Sequence, residues 1–317
     1  MNGKDTMRAG GYASREGSRL LTVLLVLFLG GCMWWTVQWM LARWDQPNSY
    51  YSHGWLVPPV VALLVFRMRS NLAACPARSS WWGVAVLIPS LLLHTLGTTW
   101  QVGFLSGFSL LGILSGTVLA TFGPAVLRLL LFPIVFLAFM IPVPELLVET
   151  VSFRLKLLAA QTATGILGNL GLAAVRQGSY IHIPNGSVVV DDVCSGLKYL
   201  ISLTAFGALY AYISPLKRWR AGLLFLLAIP VAFLANAARV TLMVLVGYGF
   251  GVEATEEWYF HDLLGLLLFV MAFLMLFLAE SLLLGRSDLL PWGTDKKRKE
   301  SAVHTEPDRT LSVGSIL

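Results

Sequence analysis

The apolar positions of this 317-residue chain fall in long, nearly uninterrupted runs separated by short polar breaks. A helical run of about 20 apolar residues crosses the ~30 Å hydrocarbon layer of a bilayer. Runs at 20–42, 54–66, 82–99, 102–122, 125–142, 194–213, 219–246 and 262–284 predict about eight transmembrane helices, the second of them short. The first run is too long for a signal peptide and lacks a small-residue cleavage site. Segment 143–177 breaks the pattern, because it carries Glu145, Glu149, Arg154, Lys156, Gln161 and Arg176. Its mixed character predicts an amphipathic helix on or dipping into the outer face. A crossing at 157–175 would instead change the parity of the topology. Residues 178–193 hold two short β-prone runs around the turn signal Asn185-Gly186, with Pro184 placed to end a strand. They predict a small outer-face β-hairpin that leads into Cys194. The expected fold is an all-α polytopic membrane protein. It has an N-terminal tail (1–19), a transmembrane domain (20–285, with 143–193 at the outer face) and a polar, disordered basic tail (286–317).

Composition agrees with the pattern. The chain is 56% hydrophobic and 13% charged, about half the charged share of an ordinary soluble domain. Its mean hydropathy is +0.72. With eight spans and both ends on one side, 17 of the 23 Lys and Arg residues fall on that side. By the positive-inside rule that side is the cytoplasm. The net charge of +6 therefore reflects loop bias and not a nucleic-acid-binding face. The run Lys296-Lys297-Arg298-Lys299 suits contact with anionic membrane lipids. Three cysteines (Cys32 in an apolar run, Cys75 in a basic loop, Cys194 at a polar boundary) argue against a disulfide framework.

Three chemically able residues reach one predicted depth. Cys194 opens the sixth span at its outer end. Arg239 lies about 20 residues into the ascending seventh span, a rise of roughly 30 Å at ~1.5 Å per residue. His261 precedes the last, descending span. A thiolate is the reactive form of cysteine and a helix N-terminus favours it, whereas Asp191 and Asp192 raise the thiol pKa. His261 could take the thiol proton and return it to a leaving amine. Arg239 could stabilise an oxyanion. Asn236, three residues before Arg239 on the same helix face, could orient it or donate a second hydrogen bond. His53, in the loop between the first two spans, could contact substrate or replace His261 as base. His182 and His94 look incidental, and no metal-ligand spacing is convincing.

Several blocks together resemble the exosortase/archaeosortase family of membrane cysteine transpeptidases. They are Tyr51-Ser52-His53-Gly54 followed by Leu56, Val57, Pro58 and Pro59; Ile183-Pro184-Asn185-Gly186; Cys194-Ser195-Gly196-Leu197; Asn236-Ala237-Ala238-Arg239-Val240-Thr241; and His261-Asp262-Leu263-Leu264-Gly265. The resemblance runs from about residue 50 to 275. It implies a catalytic set Cys194, Arg239 and His261, supported by Ser195, Asn236 and Asp262, with Tyr51 and His53 as substrate contacts and no cofactor. Asp262 would orient His261 or cap its helix. The resemblance further implies partners: exported proteins with a C-terminal signal made of a short motif (often Pro-Glu-Pro), a transmembrane helix and a basic cluster. The enzyme would cleave near the motif at the periplasmic face of a bacterial inner membrane and transfer the acyl end to an envelope acceptor, in connection with exopolysaccharide production. Gly103, Gly107, Gly112 and Gly116 offer small surfaces either to the substrate helix or to neighbouring helices of the same chain.

Two other classes stay open on sequence. A transporter would place Arg239 and His261 in a polar cavity and tolerate loss of Cys194. A non-catalytic subunit of a polysaccharide export complex would tolerate loss of all three residues.

Overall fold

The computed structural model describes residues 30–47, 49–191, 195–255 and 258–284, with the backbone alone for 258–262. The expected tails 1–19 and 286–317 lie outside these residues, as do Asp192, Val193 and Cys194. Ten helices are described here in chain order: α1 (Trp34–Trp44), α2 (Val57–Arg67), α3 (Arg69–Ala74), α4 (Trp82–Thr99), α5 (Gly103–Thr121), α6 (Pro124–Phe136), α7 (Glu145–Asn169), α8 (Leu197–Ile213), α9 (Arg218–Phe250) and α10 (Trp258–Leu283). Single 3-10 turns at Ser52–Leu56 and Leu137–Met140 precede α2 and extend α6.

Four expected spans coincide with helices long and apolar enough to cross a membrane: Trp82–Thr99, Gly103–Thr121, Arg218–Phe250 and Leu263–Leu283. The fifth expected span ends in a bend of 80°, where α6 with its 3-10 extension meets α7. This pair counts as one further span at most. The apolar helices Ser52–Arg67 and Leu197–Ile213 are shorter. The expected count of eight is therefore not reached by length among the described residues.

Small residues set the closest helix pair. A methyl group added at Gly83 would lie 2.2 Å from the Ala120 backbone nitrogen, and one at Gly116 would lie 2.8 Å from that of Leu87. In lipid, where burial gives helices no hydrophobic gain over tails, such close approach drives association. The α5 glycines expected to face either substrate or self are all taken up internally. Gly103 meets Trp39, Gly107 meets Ile141, Gly112 meets Ser90 and Gly116 meets Leu87. His94 is not incidental. Its Nε2 faces the Cys32 carbonyl at 3.1 Å, and its Nδ1 meets Ser106 Oγ at 2.9 Å, which in turn bonds Thr36. This buried chain ties α4 and α5 to α1.

The hairpin expectation needs correction. Residues 175–189 form a three-stranded antiparallel sheet: β1 (Val175–Gln177), β2 (Tyr180–Ile183) and β3 (Gly186–Val189). Residues 175–177 thus leave the predicted helix, which stops at Asn169. Gln177 pairs with Tyr180 across Gly178-Ser179, and Gly178 has φ +64. Ile183 pairs with Gly186, so Pro184-Asn185 is the turn and Gly186 already belongs to β3. Asn185 donates to the Tyr248 carbonyl at 2.9 Å, which pins the turn to the end of α9.

Helix α9 has 33 residues, about 50 Å at ~1.5 Å per residue, so one end must leave a ~30 Å hydrocarbon layer. Its segment Val240, Met243 and Val244 is buried under Ile181, Ile183 and Val188 of the sheet and Val190 just after it, and against Ala159, Ala160, Ala163 and Leu167 of α7. The α7 alanines share one face and let the sheet settle close. A second core joins α8, α9 and α10 through Leu203, Leu224, Ala228, Leu268 and Leu276. These two cores meet near Asn236 and Arg239.

Candidate functional site

The described site begins one residue after Cys194. Ser195 is buried, and its Oγ accepts a hydrogen bond from the Leu197 N–H at 3.4 Å. Gly196 is the N-cap of α8, in the left-handed region at φ +83. Two constraints require glycine there. A side chain is strained at that φ, and a methyl group at Gly196 would lie 2.5 Å from Asn236 Cγ. The turn that follows Cys194 is therefore seated directly on the Asn236 side chain.

Asn236 and Arg239 sit one turn apart on α9, and both are buried. The Arg239 guanidinium carbon lies 5.1 Å from the centroid of the Tyr199 ring, a cation–π arrangement. Arg239 also borders an apolar furrow of about 390 Å³ between α7, α9 and α10, lined by Ile166, Leu170, Leu242, Leu264 and Leu267 among others. A buried cation in apolar surroundings is costly, and such a residue in a membrane protein is a functional candidate by default.

The third segment arrives through α10. This helix starts at Trp258, earlier than the expected 262, so His261 lies in its first turn and does not precede it. Asp262, one residue further in, is not at the N-cap. The side chains of His261 and Asp262 lie outside the described residues. One turn after His261, Gly265 faces Tyr199: a methyl group added there would lie 2.6 Å from the Tyr199 hydroxyl. The chain segments that carry Cys194, Arg239 and His261 thus meet around Asn236 and Tyr199. Sequence reasoning missed Tyr199. The signal available was Gly265 in the His261 block, since a glycine inside an apolar helix marks a close neighbour.

His53 belongs elsewhere. Its Nε2 lies 3.0 Å from the Phe139 carbonyl and its Nδ1 lies 3.3 Å from Ser202 Oγ. A carbonyl only accepts, so Nε2 carries the proton and Nδ1 accepts from Ser202. Both ring nitrogens are engaged in joining the Ser52–Leu56 turn to α6 and α8. Gly54 next to it packs on Trp44, where a methyl group would come within 2.5 Å of the indole. Tyr51 is buried, and its hydroxyl accepts from the Val143 N–H at 3.2 Å. It stands between a cleft of about 530 Å³, lined by Arg43 and Glu145 among both polar and apolar residues, and an apolar pocket that reaches Leu197 and Ile201. His182, on the exposed face of β2, bonds Ser187 and Gln177. Among the described residues, no three His, Cys, Asp or Glu side chains gather to hold a metal.

The described arrangement brings the start of α8, the buried Arg239 of α9 and the first turns of α10 around Tyr199. Comparison with curated proteins and with solved structures gives no significant match. The family model for the transmembrane exosortase matches residues 34–278, which include every segment of the site. The chain belongs to the transmembrane exosortase family.

Proposed function

We propose that this protein is a membrane-embedded cysteine transpeptidase that cleaves C-terminal sorting signals of exported proteins. The observation that carries the reading is the junction just described. Gly196 rests on Asn236, and Tyr199 touches both Arg239 and the helix turn after His261. Family membership supplies the chemistry that such a junction serves.

In this reading the Cys194 thiol gives its proton to His261 and attacks the scissile carbonyl carbon. The carbonyl oxygen becomes an oxyanion beside Arg239, a fixed donor whose effect is strengthened by the apolar surroundings. The C–N bond breaks as His261 returns the proton to the leaving amine, and the acyl group stays on Cys194 as a thioester. An acceptor nucleophile of the cell envelope, or water, then attacks the thioester carbon and frees the thiol. Arg239 lies 21 residues after Arg218, about 32 Å along α9, which suits a bond just outside the bilayer. The site faces the periplasm of a bacterial inner membrane, both termini are cytoplasmic, and the products serve exopolysaccharide production. The transporter reading draws no support from the furrow beside Arg239, whose lining is apolar apart from Arg239 and Thr241.

The test is co-expression with a tagged protein ending in a motif, an apolar helix and a basic cluster. A mass shift with wild type that vanishes with Cys194→Ala supports the reading. Equal processing in both contradicts it.

A further inference from the structure

We propose that Tyr199 is a positioning residue that fixes Arg239 and the helix of His261 relative to the start of α8; this rests on the function proposed above. Tyr199 is the third residue of α8, in its first turn. Its ring makes three contacts. The face carries the Arg239 guanidinium at 5.1 Å. The hydroxyl lies against the surface of α10 at Gly265. The ring also meets Phe269 of α10 edge to face, with centroids 5.2 Å apart.

Each contact limits a different freedom. Arginine has a long stem with many rotamers, and stacking on an aromatic face leaves the planar guanidinium few orientations. Gly265 has no side chain, so the hydroxyl sets how near α10 can come to α8. His261 lies four residues before Gly265 and therefore on the same helix face, one turn nearer the end. A shift of α10 at Gly265 would carry His261 with it. A leucine keeps an apolar side chain at this position but removes the aromatic face and the hydroxyl, and the KM and pH readouts separate the two roles.

The experiment measures sorting-signal cleavage by the full-length enzyme in detergent or vesicles, as kcat, KM and the pH dependence of kcat/KM. Tyr199→Leu removes the cation–π face. The expected result is a fall of about tenfold or more in kcat with KM little changed, and a displaced pH profile. Tyr199→Phe keeps the ring and should retain most of kcat. Gly265→Ala drives a methyl group into the hydroxyl and should lower kcat, and combining it with Tyr199→Phe should restore activity toward that of Tyr199→Phe alone. Wild-type kcat and pH profile in Tyr199→Leu would overturn the proposal. So would strictly additive effects of Gly265→Ala and Tyr199→Phe, a result that also decides the matter if Tyr199→Leu does not fold. Cys194→Ala is the control. Cleavage by that variant sinks the enzyme reading itself and the positioning role with it. Its inactivity alongside a normal Tyr199→Leu sinks only the positioning role.

Discussion

Gly196 and Asn236 are in direct van der Waals contact, so close that a single methyl group on Gly196 would stand 2.5 Å from the Asn236 Cγ. Gly196 is also held at φ +83. The turn after Cys194 and the helix of Arg239 are thereby fixed to each other by a missing side chain. Gly196→Ala should abolish signal processing and lower the thermal midpoint, through strain of about 1–2 kcal/mol and the added clash. A second change, Asn236→Ala, removes the Cγ and Nδ2 clashes but leaves the Cβ at 2.9 Å and the strain in place, so it should recover only part of the stability of Gly196→Ala. Thermal unfolding in detergent of both variants checks this; no recovery would mean that the contact is not what limits the position.

Arg239 is buried and packs on the Tyr199 ring, so its loss acts on stability as well as on catalysis. Removing one partner of a buried interacting set leaves the other uncompensated and is destabilising. Arg239→Met should therefore lower the thermal midpoint, while kcat per folded molecule falls by roughly 100-fold or more, the scale of a lost oxyanion donor. Arg239→Lys should rescue little, because a lysine stacks poorly on Tyr199. Turnover per folded molecule and melting measured on the same preparations decide it. Wild-type turnover per folded molecule in Arg239→Met would mark Arg239 as structural only.

His53 has both nitrogens committed, to the Phe139 carbonyl and Ser202. Its loss should act on stability. His53→Ala leaves these groups without partners, at about 1–3 kcal/mol for a buried group. The fraction folded should fall, while kcat per folded molecule stays within a few-fold of wild type. Loss of activity with an unchanged melting point would make His53 a base in place of His261.

At the far end of α8, the hydroxyls of Tyr210 and Ser214 both donate to the buried carboxylate of Glu280 on α10. Glu280→Leu orphans two hydroxyls and should destabilise by about 1–3 kcal/mol, whereas Glu280→Gln keeps acceptor capacity and should cost less. Melting of the two variants, with turnover per folded molecule preserved in each, is the expected outcome. An order of stability with Leu above Gln would show that the cluster does not hold the helices.

Much of this could be read in the chain because membrane helices are written plainly. The runs at 82–99 and 102–122 became α4 and α5 almost residue for residue. Helix rise put Cys194, Arg239 and His261 at one expected depth, since each lies about one membrane thickness from a basic turn; it gave no contact between them. What remained hidden were contacts that carry no period. Strand β1 is three residues, Val175-Arg176-Gln177, too short to alternate. The start of α10 at Trp258 follows from an aromatic run, Trp258-Tyr259-Phe260, that hydropathy alone does not assign to a helix. His94 looked incidental because its partners Cys32 and Ser106 are 62 and 12 residues away. Tyr199 was passed over for a similar reason: its meaning lies in Arg239 and Gly265, on two other helices.

The central claim is that Cys194 becomes covalently acylated. Purified enzyme mixed with a sorting-signal substrate and quenched in acid should show, by intact mass, an adduct equal to the substrate's N-terminal fragment. The adduct should be absent from Cys194→Ala and released by hydroxylamine, as a thioester is. Product formation by Cys194→Ala at the wild-type rate, with no adduct on either protein, would contradict the account.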